Sequence, residues 1–220
     1  MLTFYHAPLS INSRRVWVAL LEKNLSFEAV VMGLGGDQFQ PEFLSLNPFH
    51  HIPVLVDNGL TVIESFAILD YLEAKYLTPS LLATTPEAIA TMRTVETVTV
   101  NELVPAINPL VKQMMGFGND PEDMLAQAKQ KTEVVLKFYA EKLGDGPFFC
   151  GDRLTLADVV AGTFAPWFEG LGLPMSDYPT LQTWTNRLME RPSWQTTQPT
   201  AKDLAAFRDR MQQRMAAQGQ

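Results

Sequence analysis

Residues 47–66 read NPFHHIPVLVDNGLTVIESF, and the arrangement of the whole chain turns on this stretch. Val54-Leu55-Val56 and Leu60-Thr61-Val62-Ile63 are two short runs rich in β-branched residues. Asp57-Asn58-Gly59 between them tolerates positive φ, so the pair predicts a tight antiparallel hairpin. Pro53, with no N–H to give a ladder, stands just ahead of the first strand. Glu64-Ser65 then precedes a helical run over residues 66–76, with Ser65 placed as the N-cap. The expected product is an unpaired backbone edge at Ile52, then a helix N-terminus with free N–H groups. Together these can hold a peptide-like ligand that carries a carboxylate.

Working outward, Leu2-Thr3-Phe4-Tyr5 reads as a strand ended by His6-Ala7-Pro8. A helix is expected over residues 12–23, with Val16, Ala19, Leu20 and Lys23 along one side. Residues 27–31 form a second strand, 33–36 a flexible loop, and 41–45 a short helical piece stopped before Pro48. The order is β-α-β-α-β-β-α: a parallel βαβ pair, to which the hairpin adds antiparallel strands. That unit closes near Leu77.

Thr78-Pro79 and Thr84-Thr85-Pro86 mark a linker over residues 78–86, after which strand signals largely cease. Helices are expected over 87–102, 120–143, 155–170 and 179–191, and 202–218 forms a terminal helix or frays. Pro105 and Pro109 should kink or break the helix near them. Asp120-Pro121-Glu122-Asp123 reads as a cap, an N1 proline and acids in the first turn, and Gly144 closes that helix. In Leu154-Thr155-Leu156-Ala157-Asp158-Val159, Thr155 and Asp158 form a capping-box variant flanked by a Leu154–Val159 staple, which makes Asp158 a folding element rather than a catalytic acid. The division is therefore 1–77, an α/β domain; 78–86, a linker; and 87–220, an all-α helical domain.

The chain has 220 residues, 46% hydrophobic and 19% charged, which suits a globular protein with a substantial core. A net charge of −7 gives no basic patch for nucleic acid. A single cysteine, Cys150, rules out an internal disulfide and suits a reducing compartment. No apolar run approaches a membrane helix, and no signal peptide is read at the N-terminus. The expectation is a cytoplasmic protein with no membrane partner.

Asn47-Pro48-Phe49, Ile52-Pro53-Val54-Leu55 and Glu64-Ser65-Phe66-Ala67-Ile68-Leu69 resemble the glutathione-binding half of the cytosolic glutathione S-transferase family. Gly151-Asp152-Arg153-Leu154-Thr155-Leu156-Ala157-Asp158 resembles an element of that family's helical domain. The resemblance covers nearly the whole chain, densely over residues 1–77. It implies a thioredoxin-like N-terminal domain and an all-helical C-terminal domain that contributes the pocket for the electrophile. It also implies a cis peptide before Pro53, a homodimer, and glutathione as co-substrate with no metal. The dimer would set the hairpin end and third helix of one subunit, around Phe49 and Phe66, against the partner's helical domain.

Pro8-Leu9-Ser10-Ile11-Asn12-Ser13-Arg14-Arg15-Val16 looks like the motif of the serine-type members, phi, theta and delta, and is compatible with a bacterial-type member; their catalytic serine falls on Ser10. Ser13 is its nearest competitor, with Asn12 and Arg15 behind it. By the same resemblance Ile52 pairs its backbone with the cysteinyl part of glutathione, beside Pro53. Glu64 and Ser65 take the γ-glutamyl ammonium and carboxylate, and His51 contacts the backbone or the glycyl end. Where many members place a cation for the glycyl carboxylate, this chain has the uncharged Gln38-Phe39-Gln40, with Gln38 at the site.

The chemistry asks little of such residues. A free thiol has a pKa of about 8.5, so only about 3% is thiolate at pH 7. Lowering that pKa by about two units needs roughly 2.7 kcal/mol of selective stabilisation, within reach of one O–H donor and a helix N-terminus. The thiolate then attacks a small hydrophobic electrophile. Related readings are a glutathione-dependent peroxidase, isomerase or dehalogenase on the same site. A different class is a non-catalytic binding module of the same fold.

Other residues carry blander expectations. His50 and His51 should point apart in an extended chain, and with only His6 besides they make no metal site. Cys150 should pack rather than react. Met114-Met115-Gly116-Phe117 is either core or part of the electrophile pocket, and Arg14-Arg15 a solvated helix face.

Overall fold

The computed structural model describes residues 1–33 and 36–218, with side chains through residue 210. Of the loop expected over 33–36, Leu34 and Gly35 lie outside the described residues. Contacts divide the chain into two units, one of residues 1–80 with 192–220 and one of residues 81–191.

The first unit begins β1 (Leu2–His6), α1 (Ile11–Glu22), β2 (Phe27–Val31), a 3-10 turn (Asp37–Phe39) and α2 (Pro41–Leu44). It continues through β3 (Val54–Asp57), β4 (Leu60–Ile63) and α3 (Ser65–Lys75). The sheet order is β2-β1-β3-β4, with β1 and β2 parallel and the remaining pairs antiparallel. This is the mixed sheet that the βαβ-plus-hairpin pattern predicts. The hairpin turns at Asn58 (φ 49°) and Gly59 (φ 90°), the two positive-φ positions of a two-residue loop. Phe4 opposite Leu55 registers β1 on β3, and both side chains are wholly buried. Val16, Ala19 and Leu20 of α1 and Ile68, Leu69 and Leu72 of α3 supply the helical side of this core. The Ile52–Pro53 and Thr78–Pro79 peptide bonds are both cis.

Several expectations change here. α3 starts at Ser65 and its N-cap is Glu64, not Ser65, at φ 67° and without a side-chain capping bond. Arg14 and Arg15 are not a solvated face but almost completely buried. Arg14 Nε donates to Thr197 Oγ1 at 3.3 Å, and the Arg15 guanidinium lies 5.1 Å over the Phe66 ring. Desolvation pulls the Arg14 pKa down to about 10, so the group remains a buried cation at neutral pH. Lys23 is also buried, paired with Glu73 at 2.7 Å and donating to the Pro79 carbonyl at 2.8 Å.

The largest departure from the expected domain plan is at the C-terminal end. The segment from Pro192 onward, expected with the helical domain, belongs to the first unit. α9 (Pro192–Thr196) packs on α1, Ser193 Oγ donates to Glu22 Oε1, and Thr197 receives the Arg14 bond. α10 (Ala201–Gln218) follows, started by Thr200 and Asp203: the Thr200 N–H donates to Asp203 Oδ2 at 2.8 Å, and the Asp203 N–H to Thr200 Oγ1 at 3.2 Å.

The second unit is helical: α4 (Pro86–Val98), α5 (Val104–Met115), α6 (Glu122–Leu143), α7 (Leu156–Gly162) and α8 (Pro179–Met189). Thr85 caps α4 through the Ala88 N–H at 3.3 Å. No break occurs at Pro105. A π-helical turn, Thr99–Leu103, joins α4 to α5 and places Pro105 in the first turn of α5, where no amide donor is needed. α6 is capped by Pro121 rather than Asp120 and ends at Gly144 (φ 56°). The helix expected over 155–170 stops at Gly162 and continues as 3-10 turns, Ala165–Trp167 and Glu169–Leu171, because Pro166 has no N–H for an α-helical bond.

Asp158 organises this unit. Its Oδ2 accepts from the Thr155 N–H (2.9 Å) and Oγ1 (3.1 Å), completing the predicted capping box. Its Oδ1 accepts from the Phe149 N–H (3.1 Å) and Trp184 Nε1 (3.0 Å), two ties that reach beyond the helix start. Burial pushes this carboxyl up to about 6, against the pull of those four donors. Cys150 is half-buried, its Sγ 3.4 Å from the Ala88 carbonyl oxygen, and burial raises its thiol pKa, which agrees with packing rather than reactivity. Met115 is buried and Met114 half-buried.

Candidate functional site

The first unit holds a cavity of about 270 Å³ lined by Asn12, Gln38, His50, His51, Ile52, Pro53, Glu64 and Ser65. Six of these, Gln38, His51, Ile52, Pro53, Glu64 and Ser65, are residues the sequence points to. The hairpin and its flanks explain the convergence. β3 pairing with β4 starts at Val54, which leaves Ile52 and Pro53 just ahead of the ladder. At the other end of the hairpin, Glu64 and Ser65 lead into α3. Ile52 is buried against Ala7, Phe43 and Val54, so its backbone is held while one edge faces the cavity.

The α3 N-terminus brings unpaired N–H groups to the cavity at Ser65, a ready anion-binding end. Glu64 sits there at φ 67°, a left-handed conformation that costs a non-glycine residue on the order of 1 kcal/mol or more. Its Oε1 lies 3.6 Å from His51 Nδ1, both side chains being exposed. The cavity therefore has a carboxylate for an ammonium group beside N–H donors for a carboxylate, as an amino-acid head group requires.

His50 departs from expectation. It does not point away from His51: both line the cavity, with ring centroids 5.6 Å apart. The chain is not extended there, because His50 sits at φ 50° in a turn organised by Asn47. Asn47 is fully buried and uses both ends of its amide, Nδ2 donating to the His51 carbonyl (2.8 Å) and Oδ1 accepting the Phe49 N–H (3.0 Å). Asn in a turn before two histidines is the one local signal that could have revealed this. Among the described residues, Gln38 Oε1 is buried without a hydrogen-bond partner.

The two serines are placed differently. Ser10 caps α1 and its Oγ accepts the Ser13 N–H at 3.2 Å. Ser13 is completely buried, and its Oγ accepts the Ala7 N–H at 3.2 Å. Neither lines the cavity, whereas Asn12 between them does. Ser10 is half-buried at the start of α1 and retains a hydroxyl proton to donate.

Comparison with known proteins agrees with this architecture. The family described as glutathione S-transferase, N-terminal domain, matches residues 4–80, and glutathione S-transferase, C-terminal domain, matches residues 101–192. Glutathione S-transferase F10 of Arabidopsis thaliana is 34% identical over 205 residues, spanning 88% of this chain and 94% of that protein. Maleylacetoacetate isomerase of Mus musculus is 29% identical over 193 residues, 85% and 87% of the two chains. Among solved structures, a glutathione transferase homolog from Sulfitobacter with bound glutathione has a TM-score of 0.75 at 26% identity, covering 89% of this chain and 96% of its own.

Proposed function

The chain belongs to the glutathione S-transferase family and is a glutathione transferase, and from that premise we propose that it conjugates the glutathione thiolate to small hydrophobic electrophiles, with the cavity of the first unit as its glutathione site. The observation that carries this is the convergence of Ile52, Glu64 and Ser65 on one cavity at the α3 N-terminus. Ser65 and the first amides of α3 take the γ-glutamyl carboxylate, and Glu64 takes its ammonium. The Ile52 backbone pairs with the cysteinyl residue as an added strand would. His50, His51 and Gln38 meet the glycyl end. Among the described residues no fixed cation lines the cavity, so the glycyl carboxylate relies on imidazole and amide donors.

Ser10 is the residue proposed to donate to the thiolate. Its oxygen accepts the Ser13 N–H in the first turn of α1, which leaves the hydroxyl proton available for donation beside the helix N-terminus. Ser13 is the weaker candidate, since it is fully buried and engaged with Ala7. The protein is read as a cytoplasmic homodimer acting in detoxification, without a metal, a membrane or a nucleic-acid partner. The exposed Phe49 is in keeping with a face that a second subunit covers.

The direct test is conjugation of an aryl halide with and without glutathione. Thioether formation that needs both glutathione and enzyme is expected, and no rate above the uncatalysed reaction would remove the proposal. The isomerase relative favours a second reading, glutathione-dependent cis–trans isomerisation on the same site. In that case substrate would convert with no net consumption of glutathione.

A further inference from the structure

The 3-10 turn Asp37–Phe39 forms one wall of the cavity, and each of its three residues has a separate commitment. Gln38 lines the cavity. Phe39 packs its ring against His50, centroids 4.9 Å apart, and His50 lines the cavity as well. Asp37 is tied to the incoming chain, its Oδ2 accepting the Gly33 N–H at 2.7 Å.

Arg210, more than two turns along α10, arrives at the same place. A Cβ added to Gly33 would lie 3.0 Å from Arg210 Nη1 and 3.0 Å from Asp37 Oδ2. The guanidinium and the carboxylate therefore stand within about 6 Å of each other, inside the Debye length of about 8 Å at physiological salt. Gly33 leaves room for this approach, which a side chain would obstruct. Arg210 is itself fixed on the helix, its Nε donating to the Ala206 carbonyl at 3.1 Å.

We propose that Arg210 is a positioning residue for the cavity: acting through Asp37, it holds the 37–39 turn so that Gln38 and, by way of Phe39, His50 meet the ligand. The C-terminal helix is thereby wired to one wall of the site without touching the ligand. The inference rests on the reading of this cavity as the glutathione site. It assigns α10 a role in ligand affinity and none in the chemical step.

The test uses the full chain, with glutathione affinity measured by calorimetry and KM and kcat by aryl-halide conjugation. Arg210→Ala should weaken glutathione binding by about twofold, the small effect of two exposed charges that are near each other without forming a contact pair, with kcat and thermal midpoint unmoved. Arg210→Lys should recover most of the affinity, because it keeps the charge. Asp37→Asn keeps an acceptor for the Gly33 N–H but loses the charge, so it should match Arg210→Ala, and the double variant should be no weaker than either single one. In 1 M salt, where the Debye length is about 3 Å, the difference from wild type should shrink. Wild-type affinity in Arg210→Ala, or losses that multiply in the double variant, overturns the proposal. Wild-type protein that fails to bind glutathione overturns the reading of the cavity itself, a separate outcome.

Discussion

Ser10 Oγ accepts the Ser13 backbone N–H at 3.2 Å, while Ser13 Oγ accepts the Ala7 N–H at 3.2 Å. The two hydroxyls, three residues apart, thus make different predictions on removal. Ser10→Ala should raise the bound thiol's pKa by one to two units, roughly 1.4–2.7 kcal/mol, and slow conjugation near pH 6.5 by on the order of tenfold. It should also cost about 1 kcal/mol of stability as a lost N-cap. Ser13→Ala should cost about 1–3 kcal/mol by orphaning a buried amide and leave the thiol pKa in place. The pH profile of conjugation for both variants decides. A profile moved by Ser13→Ala, or by substitution of Asn12 or Arg15, but not by Ser10→Ala reassigns the donor.

Ser65→Ala and Glu64→Gln should raise the KM for glutathione by on the order of tenfold or more, since each removes a bond to a charged group worth about 1.5–3 kcal/mol. Glutathione titration followed by calorimetry checks this. Unchanged affinity in both variants would place the γ-glutamyl head group elsewhere.

Asp158→Ala should destabilise the second unit by about 3–5 kcal/mol, because the amides of Phe149 and Thr155 and the Trp184 indole lose a shared acceptor in the interior. Denaturant unfolding followed through tryptophan fluorescence reads this directly. A loss below about 1 kcal/mol would mean that the network is dispensable.

His6 is almost completely buried, stacked on Phe4 with centroids 4.9 Å apart and set 4.6 Å from Trp17, and neither ring nitrogen has a partner among the described residues. Burial pulls its pKa down to about 4. The unfolded chain therefore takes up this proton first. His6 stabilises fully above about pH 6.5, and up to about 3 kcal/mol should be lost as the pH falls toward 4. Asp158 acts in the opposite sense in the same window, since its folded-state pKa is raised. Comparing urea midpoints of wild type and His6→Phe between pH 4.5 and 7.5 isolates the histidine. Parallel curves would show that His6 does not titrate as described.

The proposed homodimer should sediment at twice the chain mass of 24.6 kDa at micromolar concentration. Phe49→Asp should shift it toward monomer, because Phe49 is 59% exposed and would place a charge within an apolar contact. A wild-type monomer at that concentration removes the dimer.

What the sequence by itself determined is what acts over a few residues. Asn58-Gly59 between two β-branched runs permits only a tight hairpin, and Thr155 three residues ahead of Asp158 can close a capping box without outside help. The hairpin and its flanks were enough to expect a backbone edge at Ile52 followed by a helix N-terminus, while the ligand roles of Glu64 and Ser65 came from the resemblance to the family. Tertiary structure decided whatever depends on a distant partner. Arg14 reads as a surface charge until Thr197, 183 residues away in a segment that groups with the first unit, comes back to receive it. His50 joins the cavity because buried Asn47 bends the chain there into a left-handed turn, and Pro105 leaves its helix unbroken because a π turn shifts the phase ahead of it. For Arg14 and His50 the physical reason is shared: propensities and caps are local energies of about 1 kcal/mol, whereas burying a charge or holding a positive φ needs partners that only the folded chain supplies.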